Sequence, residues 1–507
     1  MPSPNLFEQR TAGILLHPTS LPGSESYWGD EQQNASGTFG KEAFNFVDFM
    51  AAAGLRVWQV LPLVPTEDNL SPYQSSSVHA GNPDLISLDD LAARGWIDKN
   101  NLQLDEKSRQ GLAELRRRCA PSFFHYLNSD AGTETRQQFE SFRQQEAFWL
   151  DDFALFVALG RRFNGSSWVD WPEALRKRES GALEQQKNEL QDDINSVYFE
   201  QFSFYAQWLT LKNYANQKGV AIFGDIPIFV GHNSADVWAA QHYFSLEENG
   251  QALTVAGVPP DSFSESGQRW GNPHYRWDVM EQDGFQWWLA RFGTQKKLFD
   301  IIRIDHFRGF HSVYEIPGKN EDAREGKWIK TPGDALLQAS FDRYPDLKLV
   351  AENLGEITQE IEDLRLKFNL PGMLVLHFAF ESDDNQLQPH HHTEHNIVYT
   401  GTHDNDTTVG WFKQMSDEDR ERFEHYDFQS DAEMPWFLID MALSSVAKLA
   451  IIPLQDFLAL DSDSRMNMPG TPDKNWRWRF SWSQVDPGLA GAIKQRLEKY
   501  QRLSQPV

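Results

Sequence analysis

Short apolar runs recur along the whole chain and are separated by stretches with the composition of helices. Near-continuous apolar runs that alternate with helical stretches are typical of parallel strands covered by helices on both faces. Eight such runs predict an α/β fold of the (β/α)8 TIM barrel type. A doubly wound parallel sheet is the main alternative, but no GxGxxG motif follows the first run. The runs begin at Gly13, Arg56, Val220, Ile301, Leu347, Met373, Asn396 and Leu449.

Two intervals between the predicted strands are too long for simple crossovers. Residues 67–215, between the second and third strands, are rich in charged helix formers and predict an inserted, mainly helical subdomain. Residues 231–298, between the third and fourth strands, are dense in Pro, Gly and aromatic residues. A long loop without periodicity is usually functional, so this segment predicts an active-site loop insertion. We expect one barrel over residues 1–507, with no separate C-terminal β-domain after the eighth strand.

Composition and charge narrow the classes of partner. The chain has 507 residues, a formal net charge of -26 and 24% charged residues. Such a charge disfavours binding to nucleic acid or to an anionic membrane, because both repel it at long range. No run approaches the length of a membrane span, and the start of the chain lacks the pattern of a signal peptide, so we expect a cytoplasmic protein.

Cys119 is the only cysteine in the sequence. Its basic neighbours favour a lowered thiol pKa, although a thiol without a function is the simpler interpretation.

Acidic residues end four of the predicted strands, namely Asp225, Asp305, Glu352 and Asp404. Arg303 lies two positions before Asp305 and therefore points to the same face of its strand. The carboxyl ends of barrel strands meet at one rim, where the active sites of such folds lie. Taken singly, each acid is also a good helix cap or turn former, and grouped carboxylates also suit magnesium or calcium. Glycoside cleavage fits better, because it needs paired carboxyl groups and aromatic surfaces for sugar rings.

Several longer motifs resemble one known family, the 4-α-glucanotransferases called amylomaltases or disproportionating enzymes. This family belongs to the α-amylase group of retaining glycosidases. The resemblance extends from about residue 13 to about residue 480, in the expected order. The motifs that carry it are "GILLHPTSLPG", "SPYQSSSVHAGNPDLI", "GDIPIFVGHNSADVW", "VAGVPPDSFSESGQRWGNPHYRWD", "IIRIDHFRGF", "VAENLGEIT", "VYTGTHDNDTTVGW" and "RMNMPGTPDKNWRWR".

The resemblance implies roles for the three carboxylates. Asp305 is expected to be the nucleophile, and Glu352 the general acid and base. Asp404 is expected to hold the hydroxyls of the distorted sugar ring and to stabilise the transition state. Arg303 favours an ionised Asp305, and apolar surroundings favour a raised pKa for Glu352. A retaining mechanism predicts that the carboxyl groups of Asp305 and Glu352 lie roughly 5 to 5.5 Å apart.

Other side chains are expected to contact the sugar by the same resemblance. Two of them are aromatic platforms, two hold the ring beside the cleaved bond, and one in the long loop closes over the glucan to limit water. For Trp270 an anchoring role in the core is an equal alternative. The expected contacts are Tyr73 and Trp270 as platforms, Asp225 and His403 beside the cleaved bond, Phe263 as the closing residue, Arg303, Asn467 and, more weakly, Asn475.

The predicted function is transfer of a segment of an α-1,4-glucan to the 4-hydroxyl of an acceptor glucan or glucose. No cofactor is expected, maltooligosaccharides and glucose are the expected partners, and the sequence does not indicate an oligomeric state. A retaining α-1,4-glucan hydrolase is the closest alternative, because the same carboxylates serve it, and a non-catalytic glucan-binding protein is the other. The histidine cluster at residues 390–395 is a possible metal site, but an incidental solvated loop is the simpler interpretation.

Overall fold

A computed structural model describes residues 7–260, 264–383, 385–426, 428, 430, 433–472 and 474–503. It contains two β-sheets and a large set of helices. The strands are, in chain order, β1 (Thr11–Leu15), β2 (Val57–Gln59), β3 (Ala221–Pro227), β4 (Thr254–Val258), β5 (Gln268–Pro273), β6 (Ile301–Asp305), β7 (Ser312–Pro317), β8 (Lys327–Lys330), β9 (Leu349–Ala351), β10 (Gly372–Val375), β11 (Asn396–Tyr399) and β12 (Leu449–Pro453).

The eight predicted strands form one parallel sheet in the order β10-β11-β12-β1-β2-β3-β6-β9. Its two ends approach each other: the backbone N–H of Ala351, the last residue of β9, donates to the carbonyl of Pro371 just before β10 at 2.9 Å. The sheet is therefore a nearly closed barrel, which confirms the predicted (β/α)8 fold and excludes an open doubly wound sheet.

Alternation of side chains along β6 fills two separate cores. Ile302 and Ile304 belong to the large apolar cluster shared with the surrounding helices, whereas Ile301 belongs to the smaller cluster that includes Phe223 and Val350. Because side chains two positions apart share a face, Arg303 follows Ile301 to the barrel interior. This register places the charged residues of β6 at the carboxyl end of the barrel rather than against its helices.

Helices surround the barrel and fill the interval between β2 and β3. Six of them, α2 to α7 in the numbering below, lie in that interval. The assignment of residues 67–215 as a distinct subdomain stays a prediction. The helices are α1 (Lys41–Ala52), α2 (Leu88–Ala93), α3 (Arg109–Leu127), α4 (Thr133–Arg162), α5 (Glu173–Arg176), α6 (Ser180–Glu189), α7 (Gln191–Gln217), α8 (Ala235–Ala239), α9 (Trp277–Gln282), α10 (Gln286–Leu298), α11 (Gly333–Arg343), α12 (Gln359–Lys367), α13 (Thr408–Gln414), α14 (Asp417–Glu424), α15 (Trp436–Ser444), α16 (Leu454–Phe457) and α17 (Leu489–Lys499).

A second, antiparallel sheet lies outside the barrel and was not among the predicted strands. Its order is β5-β4-β7-β8, so the hairpin before β6 joins the hairpin after it through the pairing of β4 with β7. The segment expected to be a non-periodic loop, residues 231–298, supplies β4 and β5. The two strands contain Gly, and β5 also contains Pro; β7, which pairs with β4, lies beyond the barrel strand β6 in the sequence. Local patterning therefore gave no signal for them.

Beyond β12, the described residues up to 503 form α16, α17 and short turns and add no strand. Within the described ranges, none of the helices is both long and apolar enough to cross a lipid bilayer.

Candidate active site

Three of the predicted acids lie at the carboxyl rim of the barrel. Asp305 is the last residue of β6, Glu352 follows β9, and Asp404 follows β11. Because β6 and β9 are paired neighbours, the segments after them are also in contact. The backbone N–H of His306 donates to Glu352 Oε2 at 2.7 Å, and the N–H of Phe307 donates to the Glu352 carbonyl at 3.2 Å. The structure thus brings the expected nucleophile and the expected acid together.

Arg303 joins Asp305 to Asp225 on the neighbouring strand. Its Nη2 lies 3.0 Å from Asp305 Oδ1, and its Nη1 donates to Asp225 Oδ2 at 2.7 Å. The Tyr73 hydroxyl donates to the same Asp225 oxygen at 2.7 Å. The side chain of Asp225 is 0% exposed and that of Asp305 is 31% exposed. Asp305 is therefore open to a substrate, whereas Asp225 acts on the site through Arg303 and Tyr73.

Burial raises the pKa of two of the acids, Asp225 and Glu352. It raises the pKa of Asp225 to about 7, although Arg303 opposes the shift. Burial also raises the pKa of Glu352, against the lowering effects of Arg303 and of two backbone N–H groups. Those groups belong to His306 and Leu354, and the second lies 2.8 Å from Oε1. A buried carboxyl with a raised pKa is suited to donate a proton, as expected for Glu352.

His306 adopts the left-handed conformation, with a φ of 56°. This conformation is uncommon for a residue with a side chain, and here it directs the backbone N–H at Glu352. The imidazole lies edge-on to Trp270, with ring centroids 5.0 Å apart. Burial lowers the pKa of His306 to about 4, so the ring is neutral near pH 7. His306 thus contributes a backbone donor to the acid.

Asp404 is held by neighbours from two loops. Asn467 Nδ2 donates to Asp404 Oδ1 at 2.7 Å, and His403 Nε2 lies 3.4 Å from Oδ2. The backbone carbonyl of Asp404 accepts from Arg465 Nη2 at 2.7 Å. The side chain of Asp404 is 48% exposed, so its carboxylate is fixed in position and still reachable from solvent.

Tyr73 and His403 form a stacked pair beside the carboxylates. Their ring centroids are 5.3 Å apart, with an interplanar angle of 15°. Trp476 packs against both, at 6.0 Å from Tyr73 and 5.9 Å from His403. The sequence interpretation did not single out Trp476, although it lies in the quoted motif "RMNMPGTPDKNWRWR". A tryptophan next to Asn475 in that motif was the available signal.

The remaining predicted contacts are placed differently. Trp270 is half-buried on β5, 6.2 Å from the Phe229 ring and in contact with His306, so it packs against the core and borders the site. Asn475 Nδ2 donates to the Thr471 carbonyl at 2.9 Å, within its own loop. Phe263 lies outside the described residues.

Two other sequence hypotheses concern groups away from this rim. Among the described residues, no group of three or more His, Cys, Asp or Glu side chains is arranged to hold a metal ion. In the histidine cluster, His392 contacts Ser445 Oγ at 2.7 Å and the Leu387 carbonyl at 2.9 Å, so both ring nitrogens have protein partners.

Burial raises the pKa of Cys119 to about 11, which overturns the effect expected from its basic neighbours. The thiol is therefore protonated near pH 7.

A parallel barrel with carboxylates and aromatic rings at its carboxyl rim is the arrangement of a (β/α)8-barrel enzyme whose active site lies at that rim. The profile of the family described as 4-alpha-glucanotransferase matches residues 16–484. A 4-alpha-glucanotransferase of Thermus thermophilus is 44% identical over 509 residues, covering 97% of this chain and 99% of that protein. The chloroplastic/amyloplastic 4-alpha-glucanotransferase of Solanum tuberosum is 41% identical over 512 residues, covering 98% and 87%. The chain belongs to the 4-alpha-glucanotransferase family.

Solved structures agree with this assignment. The amylomaltase from Streptococcus agalactiae in complex with acarbose superimposes with a TM-score of 0.91 at 36% identity, covering 97% of this chain and 100% of that one. The amylomaltase from Corynebacterium glutamicum, at 18% identity, has a TM-score of 0.77, covers 98% and 76%, and shares the fold. The family, the enzyme class and the barrel predicted from the sequence are confirmed.

Proposed function

We propose that this 4-alpha-glucanotransferase works by a retaining double displacement. Asp305 attacks the anomeric carbon of an α-1,4-glucan while Glu352 gives its proton to the leaving glycosidic oxygen. The result is a covalent glycosyl-enzyme and a shortened glucan. Glu352, now ionised, then takes the proton from the 4-hydroxyl of an acceptor, whose oxygen attacks the anomeric carbon and releases Asp305.

The contrast between the two carboxyl groups is the observation that carries this proposal. Asp305 is partly exposed and paired with Arg303, as a nucleophile requires, whereas burial raises the pKa of Glu352. Two neighbouring carboxyl groups with different environments are the usual basis for separate nucleophile and acid roles. Asp404, fixed by Asn467, is the third carboxylate, which holds the hydroxyls of the distorted ring.

The proposed substrates are α-1,4-glucans and maltooligosaccharides, with glucose or a glucan as the acceptor. The names of the relatives and the acarbose bound to the Streptococcus agalactiae amylomaltase support this choice. The stacked Tyr73 and His403 add an aromatic surface next to the carboxylates, and sugar rings pack on such surfaces through their C–H faces. Direct contact of Asp225, His403, Trp270 or Phe263 with the sugar stays a prediction.

Incubation with pure maltotriose tests the proposal. Transfer yields glucose together with maltooligosaccharides longer than maltotriose. Progressive shortening without any longer product instead supports the retaining hydrolase and contradicts the proposal. Absence of turnover, with identical behaviour of the wild type and Asp305→Asn, supports a non-catalytic glucan-binding protein.

Three further expectations from the sequence stay predictions. These are a cytoplasmic location, a division of the chain into a barrel with a helical subdomain at residues 67–215, and an active-site insertion at residues 231–298. Helices α2 to α7 occupy the first of these segments, with α7 extending to Gln217, and β4 and β5 lie in the second.

A further inference from the structure

Trp328 is an exposed aromatic residue on the edge strand of the outer sheet. It lies on β8, where it is 38% exposed although the Arg308 guanidinium covers one face of its indole at 3.8 Å from the ring centroid. Tyr314, its cross-strand partner on β7, approaches it edge-on with centroids 5.3 Å apart. These two contacts hold the partly exposed indole in a fixed orientation.

Contacts of Arg308 place this indole at the same rim as the proposed catalytic pair. Arg308 lies in the short 3-10 turn after β6, three residues beyond Asp305. Its Nη1 donates to the backbone carbonyl of Glu356 at 2.5 Å, in the segment after β9 that also carries Glu352. Arg308 thus spans the two loops that supply the nucleophile and the acid.

A second contact fixes the outer sheet to that loop. Thr331, the residue after β8, donates from Oγ1 to the Gly309 carbonyl at 3.0 Å and from its backbone N–H to the His311 carbonyl at 3.0 Å. The position of Trp328 relative to β6 therefore does not depend on Arg308 alone. The exposed indole is held beside the loop that follows Asp305.

The position of Glu352 indicates on which side of the cleaved bond the acceptor binds. In the proposed mechanism Glu352 protonates the leaving oxygen and later activates the acceptor, so leaving and acceptor sugars lie on its side of the cleaved bond. Tyr73 donates to Asp225, the buried partner of Arg303, and stacks on His403. Arg308 instead contacts the segment after Glu352. Through Arg308, Trp328 is linked to the segment that carries Glu352, which is the side expected to bind the acceptor.

The chemistry of the pair suits a neutral sugar. An exposed indole packs on the C–H faces of pyranose rings, and a guanidinium donates to their hydroxyl oxygens. Within the described part of the chain, Arg308 Nε is buried and has no hydrogen-bond partner, so the subsite depends on the exposed indole and on the rest of the guanidinium. Both groups are positioned by protein contacts before any ligand binds, which reduces the entropic cost of binding.

We propose that Trp328 and Arg308 form a glucan-binding subsite on the acceptor side, one or more sugar units beyond the unit that receives the transferred segment. This inference rests on the proposed function. Glucose, which occupies only the first acceptor position, does not reach the subsite, whereas maltotriose does. The subsite therefore selects for longer acceptors and leaves the formation of the glycosyl-enzyme unchanged.

Acceptor kinetics with Trp328→Ala test the subsite. The donor is a maltooligosaccharide whose non-reducing 4-hydroxyl is blocked, so that it cannot itself accept, and glucose or maltotriose is added as the acceptor. In Trp328→Ala the KM for maltotriose rises about tenfold, as expected for loss of one aromatic contact, while the KM for glucose stays within about twofold. Trp328→Tyr, which keeps an aromatic plane, recovers most of the affinity for maltotriose.

Controls separate the subsite from stability and from the proposed function. Leu253→Ala removes another exposed apolar side chain, 52% exposed next to β4 of the same sheet, and leaves both KM values unchanged. Should Trp328→Ala fail to fold, Arg308→Lys tests the same split between acceptors. Equal KM changes for the two acceptors, or none, overturn the subsite. A wild type that forms no transfer product with either acceptor overturns the proposed function instead.

Discussion

Arg303 and Asp305, two positions apart on β6, are joined by an ion pair in which guanidinium Nη2 lies 3.0 Å from carboxylate Oδ1. The other end of the same guanidinium donates to Asp225 at 2.7 Å. One planar group therefore fixes a partly exposed carboxylate relative to a fully buried one. A fork of fixed geometry is required for this arrangement, and arginine is the side chain that provides it.

Replacement of Arg303 by lysine is expected to lower kcat/KM for maltotriose about 100-fold, because a single ammonium cannot hold both carboxylates in place. The positive charge is retained, so the loss reports geometry rather than charge. Steady-state kinetics and circular dichroism measure activity and fold. Activity of Arg303→Lys within a few-fold of the wild type contradicts a positioning role for the guanidinium fork.

Variants of the two proposed catalytic carboxyl groups are expected to lose different steps of the reaction. Glu352→Gln loses transfer from maltotriose by about 10²- to 10⁴-fold, but still forms the glycosyl-enzyme from a glycosyl fluoride, whose leaving group needs no proton. Asp305→Asn forms no glycosyl-enzyme from either donor. Intact-protein mass spectrometry detects the adduct.

A matched control for these variants is Asp346→Asn, which alters a carboxylate that is 74% exposed and paired with Lys296. It keeps the activity of the wild type. An adduct on Asp305→Asn, or none on Glu352→Gln after treatment with the fluoride, reverses the assignment of roles.

The buried carboxyl of Asp225 is expected to make stability depend on pH. Its pKa is raised by burial from the ordinary 3.8 to about 7, so between these values the folded chain binds more protons than the unfolded chain. The stability that Asp225 contributes is therefore fully present below pH 4 and is lost as the pH rises through about 7. The free energy of unfolding of the wild type, relative to Asp225→Asn, should decline over this range.

Urea unfolding at a series of pH values measures this difference. Asp346→Asn is the control, because the Lys296 ammonium holds the pKa of exposed Asp346 below 3.8 and its curve should run parallel to that of the wild type. Parallel curves for Asp225→Asn and the wild type between pH 4 and 7 are the outcome that contradicts the prediction.

Trp476 is expected to support activity through its ring. Its φ of 63° is left-handed, a conformation that asparagine adopts readily. Trp476→Asn therefore keeps the backbone and removes the contacts with Tyr73 and His403, so kcat/KM for maltotriose should fall about tenfold, as for loss of one well-packed aromatic contact. Trp476→Phe should retain most activity. Thermal unfolding checks the fold, and full activity of a folded Trp476→Asn contradicts the role.

The sequence predicted the barrel and the position of its acids because both depend on local patterns. Eight apolar runs alternate with helical stretches, and Asp305, Glu352 and Asp404 each follow such a run. Parallel strands that form a barrel bring their carboxyl ends to one rim. The fold therefore predicted that these acids lie close to one another. The family followed from long motifs, which the comparisons confirm.

The sequence by itself therefore determined the fold class, the family and the acids at the rim, since alternation along a strand and the order of strands carry that information. Only the tertiary structure decided that β4 pairs with β7 to form the outer sheet, that Asp225 is fully buried while Asp305 is open, and that Trp476 packs against Tyr73 and His403. These features depend on contacts between segments far apart in the chain, where packing and desolvation, rather than local periodicity, select the neighbours of each side chain.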